Sequence, residues 1–84
     1  MDIMTVQSDL VATRRLEGLG GTSLKVVTDG RGDIEVACDP VGVPPGKQVI
    51  ATRGTAARYA AGSGSMLADL TICGIIDNWE MDQR

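Results

Sequence analysis

The amino-acid sequence predicts a mainly β fold, namely a small five-stranded OB-like β-barrel with one short α-helix before the last strand. Several β-branched or apolar segments are separated by turns that contain Gly or Pro, and one alanine-rich segment, residues 55–61, has the composition of a helix. A chain of 84 residues can fill only one hydrophobic core. We therefore expect residues 1–84 to form a single domain.

The first predicted strand covers residues 3–13, in which β-branched and apolar residues alternate imperfectly with polar ones. Arg14 and Arg15 then mark the solvated end of this strand. Residues 17–21 contain three glycines, whose backbone angles break regular structure. We expect this segment to be a connecting loop.

The next two predicted strands form a hairpin. Residues 23–28 and 34–37 are rich in Leu, Val and Ile, and the turn between them includes Gly30 and Gly32. Three prolines within residues 40–46 confine the following segment to turn and extended conformations. This segment is therefore predicted to be an ordered loop.

A fourth strand and the helix follow without a long linker. Residues 48–52 have the pattern of a short strand, and the alanine-rich helix is predicted over residues 55–61. Thr55 is the expected N-cap, because its hydroxyl can accept a hydrogen bond from a free N–H group of the first turn. Gly62 is expected to end the helix.

The last predicted strand, residues 67–77, is apolar on both of its faces until its end. Successive side chains of a strand point in opposite directions, so the alternation defines two faces. A strand that is apolar on both sides in so small a protein indicates a subunit interface. We expect one face to fill the barrel and the other to meet a neighbouring subunit. The first face holds Leu70, Ile72, Gly74 and Ile76, and the second holds Thr71, Cys73, Ile75 and Asp77.

The composition of the chain predicts that it assembles. Hydrophobic residues make up 43% of the sequence, but aromatic residues make up only 2%, with no Phe, one Tyr and one Trp. Aliphatic side chains bury less surface than aromatic ones, so the core is thin for a monomer. Small domains that lack disulfides and metals commonly gain the missing stability by oligomerising.

The charge of the chain argues against two classes of partner. The 8 Lys and Arg against 11 Asp and Glu give a formal net charge of −3, which supplies no field to attract phosphates or anionic lipids. Residues 1–9 show no basic head followed by an apolar run, so we expect no secretion signal, and no stretch approaches transmembrane length. We therefore expect a cytoplasmic protein that binds neither nucleic acid nor membranes.

Catalytic chemistry has little support in this sequence. The chain contains no His, so Ser/His and Cys/His nucleophile pairs are absent. Cys38 and Cys73 lack a CxxC spacing and are expected to be reduced thiols rather than zinc ligands. Pairs of acidic residues occur near turns and strand ends, where carboxylates are usually solvated. We expect no catalytic, cofactor-binding or metal-binding residues, and hence no enzyme.

Two other functions of an OB-like barrel stay open at this point. A module for single-stranded nucleic acid needs a basic groove with aromatic faces, and Tyr59 and Trp79 are the only aromatic residues of the chain. A small-ligand-binding barrel, or an enzyme subunit built on one, needs a larger cavity than 84 residues easily enclose.

Three stretches together resemble the EutN/CcmL family of bacterial microcompartment vertex proteins. They are residues 37–42 (Ala-Cys-Asp-Pro-Val-Gly), 53–58 (Arg-Gly-Thr-Ala-Ala-Arg) and 69–77 (Asp-Leu-Thr-Ile-Cys-Gly-Ile-Ile-Asp), in the family's order. Residues 3–19 also resemble the family's first strand and loop, so the similarity spans nearly the whole chain. The last stretch, followed by Trp79, is most similar to the vertex proteins of α-carboxysomes.

The resemblance implies a structural protein. It implies a homopentamer that caps the vertices of an icosahedral carboxysome shell, which is otherwise tiled by hexameric proteins. The enclosed enzymes would be RuBisCO and carbonic anhydrase, and the chain would lie in the carboxysome shell within the cytoplasm. Because a flat sheet of hexagons cannot close, a subunit contact that closes after five copies supplies the missing curvature.

The resemblance also implies which residues lie at the subunit interface or pore. The start of the helix is expected at the subunit contact near the central axis, where small side chains allow close approach. A simple surface helix is the alternative, because alanine-rich helices also form for intrinsic reasons. The implied interface or pore residues are Arg53, Gly54, Thr55, Ala56, Ala57, Arg58, Cys73 and Ile75.

Overall fold

A computed structural model of the chain describes residues 1–78. It confirms the mainly β class and the single α-helix before the last strand. Trp79, which follows the last predicted strand, lies outside the described residues. The elements are β1 (Asp2–Leu10), a short 3₁₀ helix (Glu17–Leu19), β2 (Leu24–Thr28), β3 (Ile34–Cys38), β4 (Gln48–Arg53), α1 (Gly54–Ala61) and β5 (Leu70–Ile75).

The strands close into a barrel in the order β1, β2, β3, β5, β4, with β4 paired back to β1. Neighbouring strands are antiparallel except for β3 and β5, which are parallel and meet at Cys38 and Thr71. Closure removes the two free edges that an open sheet of the same strands would expose. The predicted OB-like barrel is therefore confirmed.

The barrel is filled by aliphatic side chains. Its nine core residues are exposed by 2% or less, and none of them is aromatic, which agrees with the thin core that the composition predicts. They are Met4, Val6, Val27, Ala37, Val43, Val49, Ala51, Leu70 and Ile72.

A second apolar cluster lies on the outside of the barrel. Leu24 and Cys38 face each other across β2 and β3, and both point outwards because Ala37, the neighbour of Cys38 in the chain, lies in the barrel core. Ala68 completes the buried part of this cluster. The residues that cover it are Leu10, Ala12, Leu19, Ala61 and Met66.

The loop between β3 and β4 is organised by a buried carboxylate. Asp39 is only 3% exposed. Its carboxylate accepts hydrogen bonds from the N–H groups of Val41, Gly42 and Val43 at 3.1, 2.8 and 2.7 Å, and the Lys25 ammonium lies 3.7 Å away. Hydrogen bonds to a charged acceptor contribute about 1.5–3 kcal/mol each. Asp39 therefore has a structural role, which includes holding Val43 in the core.

Helix α1 begins directly where β4 ends. Gly54 has a φ of +66°, a conformation that favours glycine, and its N–H donates to the Asp69 carbonyl at 3.2 Å. The prediction that Thr55 is the N-cap is wrong, since Arg53 occupies that position without a side-chain cap hydrogen bond. The turn at Gly54 already brings the chain into the helix, so Thr55 lies within the first turn.

Helix α1 packs onto the barrel with Ala57 as its one buried residue. Ala57 has no exposed surface, and its carbonyl accepts a hydrogen bond from the Thr71 hydroxyl at 2.8 Å, which ties the helix to β5. Gly62 ends the helix as predicted, with a φ of +144° and its N–H donated to the Tyr59 carbonyl at 3.1 Å. Among residues 1–78, no helix has the length and apolar character needed to span a membrane.

Strand β1 is shorter than predicted. It ends at Leu10 rather than three residues later. The Arg15 guanidinium donates hydrogen bonds to the carbonyls of Ala12, Gly20 and Thr22. These bonds fold residues 11–22 into a loop, because the bonded carbonyls lie at its two ends.

Strand β5 is also shorter than predicted, since it runs from Leu70 to Ile75. The Leu67 N–H donates to the Gly18 carbonyl at 3.0 Å instead of to a neighbouring strand. A Cβ at Gly18 would lie 2.8 Å from the Leu67 Cγ. A larger residue at position 18 would therefore displace the Leu67 side chain.

A bulge in β5 breaks the predicted alternation of its side chains. Ile72 faces Ala51 across the ladder, but the next pair is Gly74 with Ile50, so Cys73 is the extra residue. A β-bulge places two residues of one strand opposite one residue of its partner and locally bends the strand. Every side chain after Cys73 is therefore shifted to the other face.

The predicted inner and outer sides of the strand are correct up to Ile72 and wrong beyond Cys73. Thr71, which was expected to meet a neighbouring subunit, is instead fully buried beneath the helix of its own chain. Ile75 faces the core residue Val49, so it lies on the inner side of the barrel at one mouth and is 38% exposed. The Ile76 N–H donates to the Gln48 carbonyl at 2.8 Å, which continues the shifted register. Ile76 thus belongs to the outer side.

We expect Ile72→Glu to unfold the protein and Ile76→Glu to leave it folded. Ile72 has no exposed surface, and an unpaired buried charge costs several kcal/mol, against a total stability of about 5–15 kcal/mol for a typical domain. Ile76 is partly exposed on the outer side, where a carboxylate can reach water. Circular dichroism and urea denaturation of both variants measure the effect. Equal destabilisation of the two variants would contradict the shifted register.

Candidate subunit interface and pore

The residues that were predicted for the interface or pore fall into two groups that lie apart. Residues 53–58 surround the junction of β4 and α1, whereas Cys73 and Ile75 lie in the second half of β5. Arg53 faces the first residue of β5, and Ile75 faces Val49. Because Arg53 and Val49 are four residues apart on one strand, the groups are separated by roughly 13 Å. The structure of one chain does not bring them together.

The start of α1 presents small side chains to solvent. Gly54, Thr55 and Ala56 are exposed, and Arg58 adds one exposed guanidinium. Ala57 differs from them, because it is fully buried within its own chain. A neighbouring subunit could therefore contact the other four residues but not the Ala57 side chain, whose role is to seat the helix on the barrel.

Arg53 is the centre of an ion cluster at this end of the barrel. Its guanidinium donates two parallel hydrogen bonds to the Glu35 carboxylate, both at 2.7 Å, and a third from Nε to Asp2. Asp2 lies at the start of β1 and Glu35 lies in β3. All three positions pair with core residues across the ladder, so their side chains point towards the barrel mouth. The cluster closes this mouth with charges from three strands.

The electrostatics of the cluster favour its ionised form. The hydrogen bond from Arg53 lowers the pKa of Glu35 below its ordinary value of 4.5. The hydrogen bonds to Glu35 and then Asp2 raise the pKa of Arg53. The Arg53 and Glu35 side chains are 47% and 31% exposed, so solvent screens the pair and limits it to about 1 kcal/mol or less. The cluster therefore orients the β4–α1 junction more than it stabilises the fold.

The two cysteines have different surroundings. Cys73 is exposed at the bulge, with its Sγ 3.7 Å from the Thr71 carbonyl. Cys38 is buried under the outer apolar cluster, and burial raises the pKa of its thiol. Neither cysteine is bonded to the other in the structure. Only Cys73 is placed where a neighbouring subunit could touch it.

The ion cluster was not predicted from the sequence. Arg53 is separated from Glu35 by 18 residues and from Asp2 by 51 residues, so only strand pairing brings the three together. One signal was available. Glu35 lies two residues before the core residue Ala37, so both side chains are on the same face of the strand, and a carboxylate is placed at an inward position. A charge at such a position requires a partner or a barrel mouth.

The surface gives little support to the nucleic-acid and small-ligand alternatives. Tyr59 is the only aromatic residue within residues 1–78, and its ring lies against Gly64, where a Cβ would be 3.1 Å from the ring. A cleft between Arg58 and residues 64–69 is open to solvent outside the barrel. In the described part of the chain, no three His, Cys, Asp or Glu side chains are grouped so that they could hold a metal ion.

We expect Glu35→Gln to flatten the acid side of the stability profile. Because the Glu35 pKa is lowered in the folded state, its carboxylate contributes stability that is fully present above its ordinary pKa of 4.5 and is lost as the pH falls through the lowered value. Gln keeps the size of the side chain but does not titrate. Denaturant unfolding between about pH 6 and pH 3 measures the slope. The exposed Glu17→Gln is the matched control, and identical slopes for Glu35→Gln and the native chain would refute the prediction.

Comparison with known proteins agrees with the fold and with the motifs. The chain matches the family model described as "Ethanolamine utilisation protein EutN/carboxysome" over residues 1–77. It is 53% identical over 79 residues to the carboxysome shell vertex protein CsoS4B of Halothiobacillus neapolitanus, with 94% of this chain and 98% of the relative covered. The solved structure of CsoS4B from that organism superposes with a TM-score of 0.87 at 52% identity, covering 93% of this chain and 100% of the other.

A more distant solved structure extends the comparison beyond carboxysomes. The GrpN pentameric microcompartment shell protein from Rhodospirillum rubrum superposes with a TM-score of 0.81 at 32% identity, covering 95% of this chain and 98% of the other. The family match contains every strand of the barrel and all three stretches on which the resemblance rests. The names of these relatives describe shell components. The chain therefore belongs to the EutN/CcmL family of microcompartment shell vertex proteins, which are structural proteins and not enzymes.

Proposed function

We propose that the chain forms a homopentamer that caps the vertices of an icosahedral α-carboxysome shell. The observation that carries this proposal is the 53% identity, over nearly the whole chain, to a carboxysome shell vertex protein. A family member with 32% identity and the same barrel is a pentameric shell protein. The mechanism is geometric, because a head-to-tail contact that closes after five copies supplies the curvature that hexagonal tiles lack.

The start of α1 lies at the subunit contact near the fivefold axis in this proposal. The small exposed side chains of Gly54, Thr55 and Ala56 support it, since they allow two backbones to approach closely. The ion cluster around Arg53 supports it further, because bonds to two other strands hold the β4–α1 junction in place. Arg58, exposed one turn later, lies at the rim of this contact.

Strand β5 contributes the second part of the contact. Cys73 is exposed at the bulge, and Ile75 is 38% exposed at the barrel mouth. An exposed apolar residue beside an exposed thiol is the kind of surface that interfaces bury. Because these residues lie apart from the helix start, the contact extends along the barrel rather than being confined to one end.

The proposed partners of the pentamer are hexameric shell proteins, and the enclosed enzymes are RuBisCO and carbonic anhydrase. The carboxysome shell name of the relatives supports this environment. In such a shell each vertex protein acts as a single domain that contacts the tiles around it. Its contribution is to close the shell, while the chemistry belongs to the enclosed enzymes.

We expect the native chain to sediment as a pentamer in dilute buffer and Ala56→Glu to dissociate it. Ala56 is exposed at the proposed contact, and a carboxylate there must lose its water when subunits meet. Native mass spectrometry or analytical ultracentrifugation measures the assembly. Circular dichroism verifies the fold of the variant.

Ala60→Glu is the matched control for this experiment. Ala60 is exposed on the same helix, one turn beyond Ala56 and outside the proposed contact. Glu has nearly the helix propensity of Ala, so neither substitution melts the helix. A native chain that is mainly monomer or dimer would overturn the pentamer. Pentamers of both variants would instead show that the helix start lies outside the contact.

We expect cells that lack this protein, and that make no other vertex protein, to contain active enzymes inside imperfectly closed shells. The physical reason is that hexagonal tiles alone leave gaps where fivefold units belong. Electron microscopy of purified shells and growth in air measure closure and its consequence. Normal shells and normal growth in air would refute the vertex role.

A further inference from the structure

The outer surface of the barrel carries an apolar face centred on β4, which we call the β4 face. Ile50 pairs with Ile3 of β1 on one side and with Gly74 of β5 on the other. Both chain neighbours of Ile50 are core residues, so this row points outwards. Ile3 is 48% exposed. The β4 face consists of Ile3, Ile50, Gly74 and Ile76.

A second apolar face lies on the hairpin of β2 and β3, and we call it the β2–β3 face. Val26 pairs with Val36, and two residues further along the hairpin Thr28 pairs with Ile34. Val36 is followed in the chain by the core residue Ala37, and Val26 by the core residue Val27, so their row also points outwards. Ile34 is 70% exposed and Val36 is 46% exposed. The β2–β3 face consists of Val26, Ile34 and Val36.

The β2–β3 face is the bare end of an apolar column that is covered elsewhere. Leu24 and Cys38 continue the column and are buried beneath the loops of the outer cluster. Where this cover ends, a crevice of about 150 Å³ opens, lined mainly by apolar residues such as Val36 and Leu67, with Asp69 as its one charged residue. A volume of about 150 Å³ can hold a group of the size of benzene. The crevice therefore has room for one aliphatic side chain.

The two faces lie on opposite sides of the barrel. In the closed strand order, β4 is flanked by β1 and β5, so the remaining strands, β2 and β3, lie across the barrel from it. A head-to-tail ring requires two different and mutually complementary surfaces on every subunit. The β4 face and the β2–β3 face together meet this requirement.

The size and charge of the faces fit a contact between copies of the chain. A standard contact buries about 800 Å² on each partner, so two contacts take roughly 1,600 Å² from a subunit whose accessible surface is 5469 Å². Contacts of this size must cover much of two sides of so small a barrel. The outward residues beside the faces, including Thr5, Thr28 and Gln48, are uncharged, which agrees with the depletion of charge in interface cores.

We propose that the β4 face of one subunit packs against the β2–β3 face of the next copy around the ring, with an aliphatic side chain of the β4 face entering the crevice beside Val36. This assignment rests on the proposed pentamer and names the two surfaces that build it. The start of α1 lies at one end of the same contact, near the axis.

Single charged substitutions on each face test the assignment. Ile3→Glu places a charge on the β4 face, and Val36→Glu places one on the β2–β3 face. Each variant keeps its fold, because both residues are about half exposed in the isolated chain, but each is expected to run as a monomer. Val11→Glu and Leu16→Glu are matched controls, since these side chains are 82% and 74% exposed and belong to neither face. Both controls remain pentameric.

A mixing experiment tests the head-to-tail geometry. The Ile3→Glu variant retains a native β2–β3 face, and the Val36→Glu variant retains a native β4 face. A one-to-one mixture therefore forms a heterodimer through these two native faces. Further assembly stops there, because the two faces that remain free both carry a substitution. Native mass spectrometry distinguishes this heterodimer from unmixed monomers. A mixture that stays monomeric overturns the pairing of the two faces.

The controls separate this inference from the proposed function. A native chain that is not pentameric would refute the proposed function itself. A pentameric native chain whose Ile3→Glu and Val36→Glu variants also stay pentameric would refute only the assignment of the faces. If circular dichroism shows that either variant is unfolded, Ile76→Glu or Ile34→Glu tests the same face. Unfolding of both variants of a face would show that it is not bare surface and would overturn the proposal.

Discussion

The pairing of β1 along both of its edges is the interaction on which the rest of the structure depends. This strand bonds to β2 on one side and to β4 on the other, which turns a sheet into a closed barrel. A bulge between Val6 and Ser8 allows it to bend between the two partners. Val6 also exchanges backbone hydrogen bonds with Gly46 and Lys47, at 2.8 and 2.9 Å. The loop after β3 is thereby fastened to the same strand.

Closure with only five strands explains why the chain contains so few aromatic residues. The diameter of a barrel grows with its number of strands, so five strands enclose a narrow interior, and nine aliphatic residues fill it. The absence of Phe is therefore appropriate to this fold. The apolar residues that the interior cannot hold, such as Ile3 and Ile34, lie on the outside. Their burial can stabilise the protein only when another surface covers them.

The kinds and order of the elements could be predicted because each has a local signal. Strand alternation, turns with glycine and proline, and the alanine-rich helix depend on neighbours in the sequence. The shift of side chains after Cys73 could not be predicted, because it depends on how β5 is registered against β4. The same is true of Arg53, whose partners come from distant strands. The prediction that Thr55 is the N-cap failed because Gly54 already turns the chain into the helix.

The candidate site was predictable only as far as the family motifs reached. The motif around Asp39 marks a structural loop, since the Asp39 carboxylate accepts hydrogen bonds from the backbone N–H groups of that loop. The stretch at residues 53–58 contains exposed residues and the buried Ala57. A sequence motif alone cannot tell which of its residues are exposed and which are buried. Exposure depends on how α1 sits on β5, and this is decided by contacts such as the bond from Thr71 to the Ala57 carbonyl.

The number of copies in a ring is set by the angle between the two contact surfaces of each subunit. Surfaces on flexible loops would let this angle vary and would allow rings of several sizes. The β4 face and the β2–β3 face lie instead on paired strands of one closed barrel, whose backbone bonds hold their relative orientation. In the proposed ring, the closure that defines the core therefore also defines the symmetry. A vertex protein needs this link, because a ring of six would fit the flat sheet and leave the shell open.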